Sequence, residues 1–284
     1  MKLEDWHTHN SLCGHAEGTI EDYVKSAIKL NIGTIGISDH FPYEFYNGFE
    51  RIPLHYGYSM KLDQIKYYLH NIEKLKDKYE NEIKIRVAFE IDYVINQYSK
   101  LTKRLEQFKN KLDYLLGSIH LLYSENGYWE IDDPLFTEEF GLYSSIDDVY
   151  LQYYETQIKM INTKDFEYDI VSHLDLLKKF NIFPENKNLI MEKVIEVLEH
   201  IKKRDLVIEI NTGGLRKDVK EQYPSFEIIQ KMHELDIPII LSSDAHKPDE
   251  LAYSFKNILT KLKKIGFTQL AHFQDRKRSF IDIE

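Results

Sequence analysis

Short apolar runs in this chain end, one after another, in a histidine or an acid. They include Trp6-His7-Thr8-His9, Ile37-Ser38-Asp39-His40, Val87-Ala88-Phe89-Glu90, Gly117-Ser118-Ile119-His120, Val171-Ser172-His173 and Leu241-Ser242-Ser243-Asp244-Ala245-His246. A core histidine has no reason to take the last position of a strand repeatedly. A metal site on the rim where parallel strands end has that reason, because those ends converge.

The runs are rich in Ile, Val and Leu, as buried parallel strands are, and fall at about residues 3–8, 33–38, 84–91, 113–119, 168–173, 206–211 and 238–243. Amphipathic helices fill the intervals, at about 20–30, 59–79, 97–110, 145–163, 187–203, 225–235 and 249–265. The first opens at Thr19-Ile20-Glu21-Asp22, with acids in its first turn as the helix dipole prefers. Seven strands alternating with helices, without a nucleotide-type glycine loop, favour a closed or nearly closed α/β barrel over a Rossmann sheet. No low-complexity linker or repeat divides the chain, so residues 1–284 are expected to form a single domain. Two longer loops, 41–58 and 121–144, follow strands that end in candidate ligands, and are read as substrate walls, a lid, or plain insertions on that rim.

Composition narrows the function classes. A net charge of −10 argues against extended nucleic acid or an anionic membrane as partner. A phosphate ester remains open, because bound cations reverse the local field. The single cysteine, Cys13, allows no internal disulfide. With no signal peptide and no apolar stretch near the ~20 residues of a membrane helix, the expected location is cytoplasmic. Tyr (20) and Phe (15) suit a bulky core as well as an aromatic pocket. Oligomeric state is not legible.

Individual residues carry the chemistry unequally. His7 and His9, two apart on a strand, share a face and enter the site together. Glu90 ends an apolar strand, where an ionised carboxylate needs a metal or a neighbouring Lys or Arg. Asp92 shares its face, as a partner to a ligand or as a helix cap. His120 and His173, taken singly, read more often as hydrogen-bonded core histidines. Asp244 and His246 again place two donors on one face. Cys13 is a weaker ligand candidate, since sites of imidazole and carboxylate need no thiolate. His55, His70, His200, His233 and His272 show no such placement.

Taken together, His7-Thr8-His9, His15, Ser38-Asp39-His40, Glu90, Gly117-Ser118-Ile119-His120, Ser172-His173 and Ser243-Asp244-Ala245-His246 resemble, in order, the ligand motifs of the polymerase and histidinol phosphatase (PHP) superfamily. The resemblance covers essentially the whole chain. Within that superfamily, the length, Cys13-Gly14-His15, Ser38-Asp39-His40-Phe41-Pro42 and the Gly-Ser-Ile-His block are most similar to the stand-alone histidinol-phosphate phosphatases of histidine biosynthesis.

The resemblance implies a distorted seven-stranded, TIM-like barrel holding three divalent ions, with zinc the first choice and iron or manganese equally suited to imidazole donors. The first ion would take His7, His9, Glu90 and Asp244. Glu90 would bridge to a second held by His120 and His173, and a third would take His15, His40 and His246. The implied reaction is hydrolysis of L-histidinol phosphate by a metal-bridging hydroxide. Metal coordination lowers the pKa of water from about 15.7 toward about 7, so hydroxide is available at neutral pH. Three divalent ions against two ligand carboxylates leave roughly four units of excess positive charge, matched to a phosphate dianion. His40 and His246 would serve phosphate binding through the third ion, and Asp244 would pass a proton to the leaving alkoxide. Arg216, after Glu209-Ile210-Asn211-Thr212-Gly213-Gly214, is a further phosphate contact or a surface salt bridge. Asp39 and Asn211 read as orienting groups, and Arg51 as a weak substrate contact. Glu44, Glu50 or Asp133 could pair with the substrate's amine. Other members of the superfamily leave two alternatives, a nuclease or nucleotide phosphoesterase and a phosphotyrosine phosphatase.

Overall fold

The computed structural model describes residues 2–49, 52, 58–164 and 167–283. Its backbone alternates short strands and helices. Strands β1 (Leu3–Asp5), β2 (Ile32–Ile37) and β3 (Lys84–Val87) form one parallel sheet. Strands β4 (Glu90–Asp92), β5 (Leu116–Ser118), β8 (Ile170–Val171), β9 (Val207–Asn211) and β10 (Ile239–Ser242) form a second, also parallel. Two antiparallel hairpins complete the strands: β6 (Leu121–Ser124) with β7 (Gly127–Glu130), and β11 (Gln269–Gln274) with β12 (Lys277–Asp282).

The run expected at 84–91 divides, because Val87 pairs with β2 whereas Glu90 pairs with β5. The chain changes sheet at Ala88 and Phe89 without losing contact with the first, since Ala88 N–H donates to Ile37 O at 2.8 Å and Glu90 N–H to Ser38 O at 2.9 Å. Isolated parallel bridges join His40 to Glu90 and Thr8 to Ala245. The buried Asp5 side chain ties β1 to the other end of the second sheet, accepting from Ser243 N–H at 2.8 Å and Ala252 N–H at 2.9 Å.

The helices are α1 (Ile20–Lys29), α2 (Ile65–Lys78), α3 (Tyr98–Leu105), α4 (Ile146–Asn162), α5 (Lys187–Lys203), α6 (Phe226–Glu234) and α7 (Phe255–Ile265). A capping box between Thr19 and Asp22 opens α1, which buries Ile20, Tyr23, Val24 and Ala27 along one stripe. In α5 the same spacing buries Ile190, Val194, Val197, Leu198 and Ile201, each aliphatic contributing about 1.5–3 kcal/mol.

Two buried clusters result. The larger lies between the sheets and the helices. The smaller gathers Trp6, Ala88, Leu116, Ile170, Val207 and Ile240 from successive strands, together with Tyr114, against Ala271 and Phe273 of the β11–β12 hairpin. The hairpin covers the amino ends of the strands, where Asp275 N–H donates to Asp113 Oδ1 at 3.1 Å. That leaves the carboxyl ends open. The 121–144 segment holds the β6–β7 hairpin and a 3-10 stretch, Pro134–Leu142, above that open end.

Candidate metal centre

Every strand-end ligand candidate reaches this rim, and Glu90 lies at its centre. Oε2 of Glu90 is 3.2 Å from His7 Nε2, 3.5 Å from His9 Nε2 and 3.1 Å from His40 Nδ1. Oε1 is 2.9 Å from His173 Nε2 and 3.6 Å from His120 Nε2, and accepts from Ser118 Oγ at 2.6 Å. Asp244 Oδ1 lies 3.1 Å from His9 Nε2, 3.9 Å from His7 Nε2 and 3.6 Å from His246 Nδ1. The two Nε2 atoms of His7 and His9 face each other at 3.1 Å. The His15 ring centroid stands 5.0 Å from that of His246 and 5.3 Å from that of His40.

This donor set fits divalent cations. Ligand atoms at about 2.1 Å from a metal lie about 3.0 Å apart in an octahedron and about 3.4 Å apart in a tetrahedron, which matches the spacings around Glu90. Moreover, His40 Nδ1 is 3.1 Å from the Glu90 carboxylate, yet buried and without a hydrogen bond. Three donors converge in each of the groups His7–His9–Glu90, Glu90–His120–His173 and His9–His40–His246. His9 thus approaches both the position expected for the first ion and that expected for the third.

A second layer aims these donors. Glu209, fully buried in β9, accepts from His7 Nδ1 at 3.0 Å, His173 N–H at 2.7 Å, Ser242 Oγ at 2.6 Å and Asn211 Nδ2 at 2.9 Å. Asp92 Oδ1 takes His120 Nδ1 at 2.8 Å, and its other oxygen accepts from Tyr43 OH. Asp39 Oδ1 holds His9 Nδ1 at 3.3 Å. Such partners fix the tautomer and ring angle of a ligating histidine. Asn211 also donates to Asp244 Oδ2 at 3.1 Å and accepts from Gly213 N–H at 2.7 Å, joining ligand and loop. Glu209 escapes a reading limited to strand ends, although a lone acid inside Val207-Ile208-Glu209-Ile210 carries the same signal as Glu90.

Arg216 meets the expected alternative of an ion pair and keeps a donor unused, since its Nη1 is buried with no hydrogen-bond partner among the described residues. Its Nη2 donates to the backbone oxygens of Ser243 and Asp244, both at 2.9 Å, and its Nε lies 3.3 Å from Glu250. These bonds hold Asp244, whose φ of 53° costs about 1 kcal/mol for a residue with a Cβ, so Arg216 clamps the ligand's turn. The cations lining the cavity are instead Lys179, Lys217 and Lys247. Cys13 is buried with its thiol on Asn10 O at 3.1 Å, and burial pushes the thiol well above its ordinary range. His200 bonds Asn162, and His272 bonds Glu4 beside Trp6, both away from the rim. Arg51, Glu50 and His55 lie outside the described residues.

The donors open onto a cavity of about 440 Å³. Tyr43 and Tyr58 of the 41–58 loop line it, with Glu130, Asp132 and Asp133 opposite, so both expected loops supply walls. Tyr58 OH donates to Asp133, and Lys179 Nζ donates to Asp132 Oδ2 at 2.9 Å, tying the walls together. Burial, then Asp132 and Asp133, push the Glu130 carboxyl up to about 8.

Charge divides the histidines. For His7, burial opposes protonation, but Glu209, Glu90 and Asp244 outweigh it and hold the imidazole well above its usual value. His9 rises to about 9, with burial opposing and bonds to Asp244 and Asp39 prevailing. Burial dominates at His40 and His246, which fall well below the usual value. A group raised on folding contributes stability below its unfolded pKa and loses it as pH climbs through the folded one. Metal-free protein should therefore melt at progressively lower temperature from pH 6.5 to about 9. Metal-loaded protein should resist this fall, because cations need the deprotonated rings. Thermal melts with and without chelator check both; a metal-free melting point that rises across this window contradicts the charge assignment.

A mixed α/β fold with imidazoles and carboxylates gathered on its strand ends defines a divalent-metal protein. The chain belongs to the PHP domain family, which it matches over residues 5–213. It is 29% identical over 266 residues to a Deinococcus radiodurans protein named "Probable histidinol-phosphatase", covering 93% of this chain and 94% of that one. It is 26% identical over 269 residues to the histidinol-phosphatase of Bacillus subtilis, covering 92% and 100%. The fold also matches the solved histidinol phosphate phosphatase of Lactococcus lactis, complexed with Zn, L-histidinol and phosphate, at a TM-score of 0.79 and 21% identity over 98% and 99% of the two chains.

Proposed function

We propose that this chain hydrolyses L-histidinol phosphate to L-histidinol and inorganic phosphate, in histidine biosynthesis. The observation that carries the reading is one carboxylate, Glu90, surrounded by five imidazoles at the base of a cavity sized for a small molecule. The relatives' shared name supports the substrate.

Three divalent ions, of zinc, iron or manganese, are our reading of the donor set. His7, His9, Glu90 and Asp244 would hold the first, Glu90, His120 and His173 the second, and His15, His40 and His246 the third. Bound there, they supply Lewis acidity toward the phosphoryl group and acidify water near neutral pH. Asp244, 18% exposed at the cavity, is the group placed to carry a proton to the leaving alkoxide. Asp133 is our candidate for the substrate's cationic amine and Lys217 a candidate for its phosphate, both lining the cavity, whereas Lys179 is held by Asp132. Arg216 holds the Asp244 turn through Nη2, and its unpartnered Nη1 leaves it a donor for phosphate.

The two sheets are read as arcs of one distorted seven-stranded barrel forming a single domain, with β3 and β4 as one broken strand. The Thr8–Ala245 and His40–Glu90 bridges and the ring-like inner cluster support this. No helix among the described residues is long and apolar enough to cross a membrane, in keeping with a cytoplasmic enzyme.

Steady-state turnover across phosphate esters, with metal content measured on the same sample, tests the assignment. L-histidinol phosphate should exceed simple alkyl phosphates by at least about a hundredfold in kcat/KM, since its charged amine has partners only in a site built for it. Preferential release of mononucleotides from short oligonucleotides would overturn it.

A further inference from the structure

Away from the metal centre, α4, α5 and the start of α6 border a second cavity of about 290 Å³. Tyr150 and Tyr154 of α4, Phe183 and Phe226 give it aromatic walls, and Asp175 and Lys178 also line it. Lys178 is 3% exposed, and its ammonium is fully used, with Asp175 Oδ2 at 2.9 Å, Glu221 Oε2 at 2.5 Å and Gln222 O at 2.8 Å. Two carboxylates thus share one ammonium; with Glu227 and Lys187, which also line the cavity, three carboxylates stand against two cations and one negative charge is left over. Asp175 is 4% exposed. Its Oδ2 also accepts from Ser225 N–H at 2.9 Å, but its Oδ1 is buried with no hydrogen-bond partner among the described residues. A buried carboxylate oxygen without a donor is costly and calls for a partner.

From this we infer that the cavity is a second ligand site, distinct from the catalytic one, for a small organic cation bearing one aromatic ring. The ammonium meets the unbalanced carboxylate charge beside Asp175 and Glu221, and the ring packs among the tyrosine and phenylalanine faces. Aromatic faces themselves favour a cation, and the volume lies at the small end of organic ligand pockets. An anion would meet Asp175, Glu221 and Glu227 against Lys187 and is disfavoured. The site adjoins catalytic elements, since Asp175 lies two residues beyond His173, and Gln222 precedes Tyr223, which lines the catalytic cavity.

Calorimetry on metal-loaded protein tests this, with saturating inorganic phosphate filling the phosphate part of the catalytic cavity and Met191→Trp separating amine bound here from amine bound beside that phosphate. Phenethylamine is the probe, with 2-phenylethanol and phenylacetate as its neutral and anionic counterparts. The amine should bind with a Kd of about 1 mM or tighter, and the other two at least about tenfold more weakly. Met191→Trp, on the partly buried face of α5 that lines the cavity, should fill it and weaken amine binding by about tenfold or more, with ester turnover unchanged. Asp175→Asn should erase the preference for amine over alcohol. Equal binding of amine and alcohol to the wild type, absence of binding heat, or amine binding that Met191→Trp leaves intact each overturns the site. The readout is heat rather than catalysis, so it is independent of the proposed reaction.

Discussion

Replacing Glu90 by Gln should cut kcat/KM by about four orders of magnitude, which corresponds to about 5.5 kcal/mol of transition-state stabilisation. Gln keeps the volume and one carbonyl oxygen, so the core around β4 survives. What disappears is the charge. Burial raises the carboxyl, but His40, His7 and His120 outweigh it and hold it ionised well below the usual range. Both its oxygens serve, Oε2 toward His7, His9 and His40 and Oε1 toward His173 and His120. A neutral amide offers one acceptor and adds an N–H that points at imidazole nitrogens or a cation. Metal content should fall by at least one ion per chain. Elemental analysis beside steady-state kinetics checks this, with circular dichroism as the control for folding. Full metal content with more than a tenth of wild-type turnover would remove Glu90 from the centre of the site.

Glu209→Ala should be the most destabilising change around the rim without removing a metal donor. Four groups would lose their acceptor at once: His7 Nδ1, the His173 amide, Ser242 Oγ and Asn211 Nδ2. Breaking a buried pair of this kind costs about 3–5 kcal/mol, or about 6–15 °C in melting temperature for a chain of this size. Metal affinity should also drop by about 10–100-fold, because the His7 ring and the His173 backbone lose their orienting partner. Glu209→Gln keeps the shape and one acceptor, and should recover much of the stability but less of the affinity. Thermal melts and metal titration separate the two effects. A melting point within 2 °C of wild type (under about 1 kcal/mol) would show that β9 does not depend on this carboxylate.

Parts of the fold were plain in the sequence. The apolar runs, the capped start of α1 and the aliphatic stripe of α5 are local patterns, set by side-chain periodicity within a few residues. The β11–β12 hairpin was not visible, because its turn is Asp275-Arg276, both with positive φ, instead of the glycine-bearing pair that signals such turns. The β6–β7 turn is Glu125-Asn126, and the glycine that follows it, Gly127 with a φ of 97°, was a turn signal within a segment read only as a loop. Arg216 shows the opposite failure: its rim position was legible, but its hydrogen-bond partners were not. Those partners are backbone oxygens 27 and 28 residues away.

By itself the sequence settled which chemistry was available, since residue type and close spacing keep His7 near His9 and Asp244 near His246. Both pairs lie just beyond β1 and β10, where strand parity no longer applies. Tertiary structure alone decided which donors meet. His7, Glu90 and His173 come together only because strands far apart in the chain are neighbours in space. That pairing, set by sheet register and by the contact of β1 with β10, also decided that Glu209 rather than a strand-end acid would hold His7 in place.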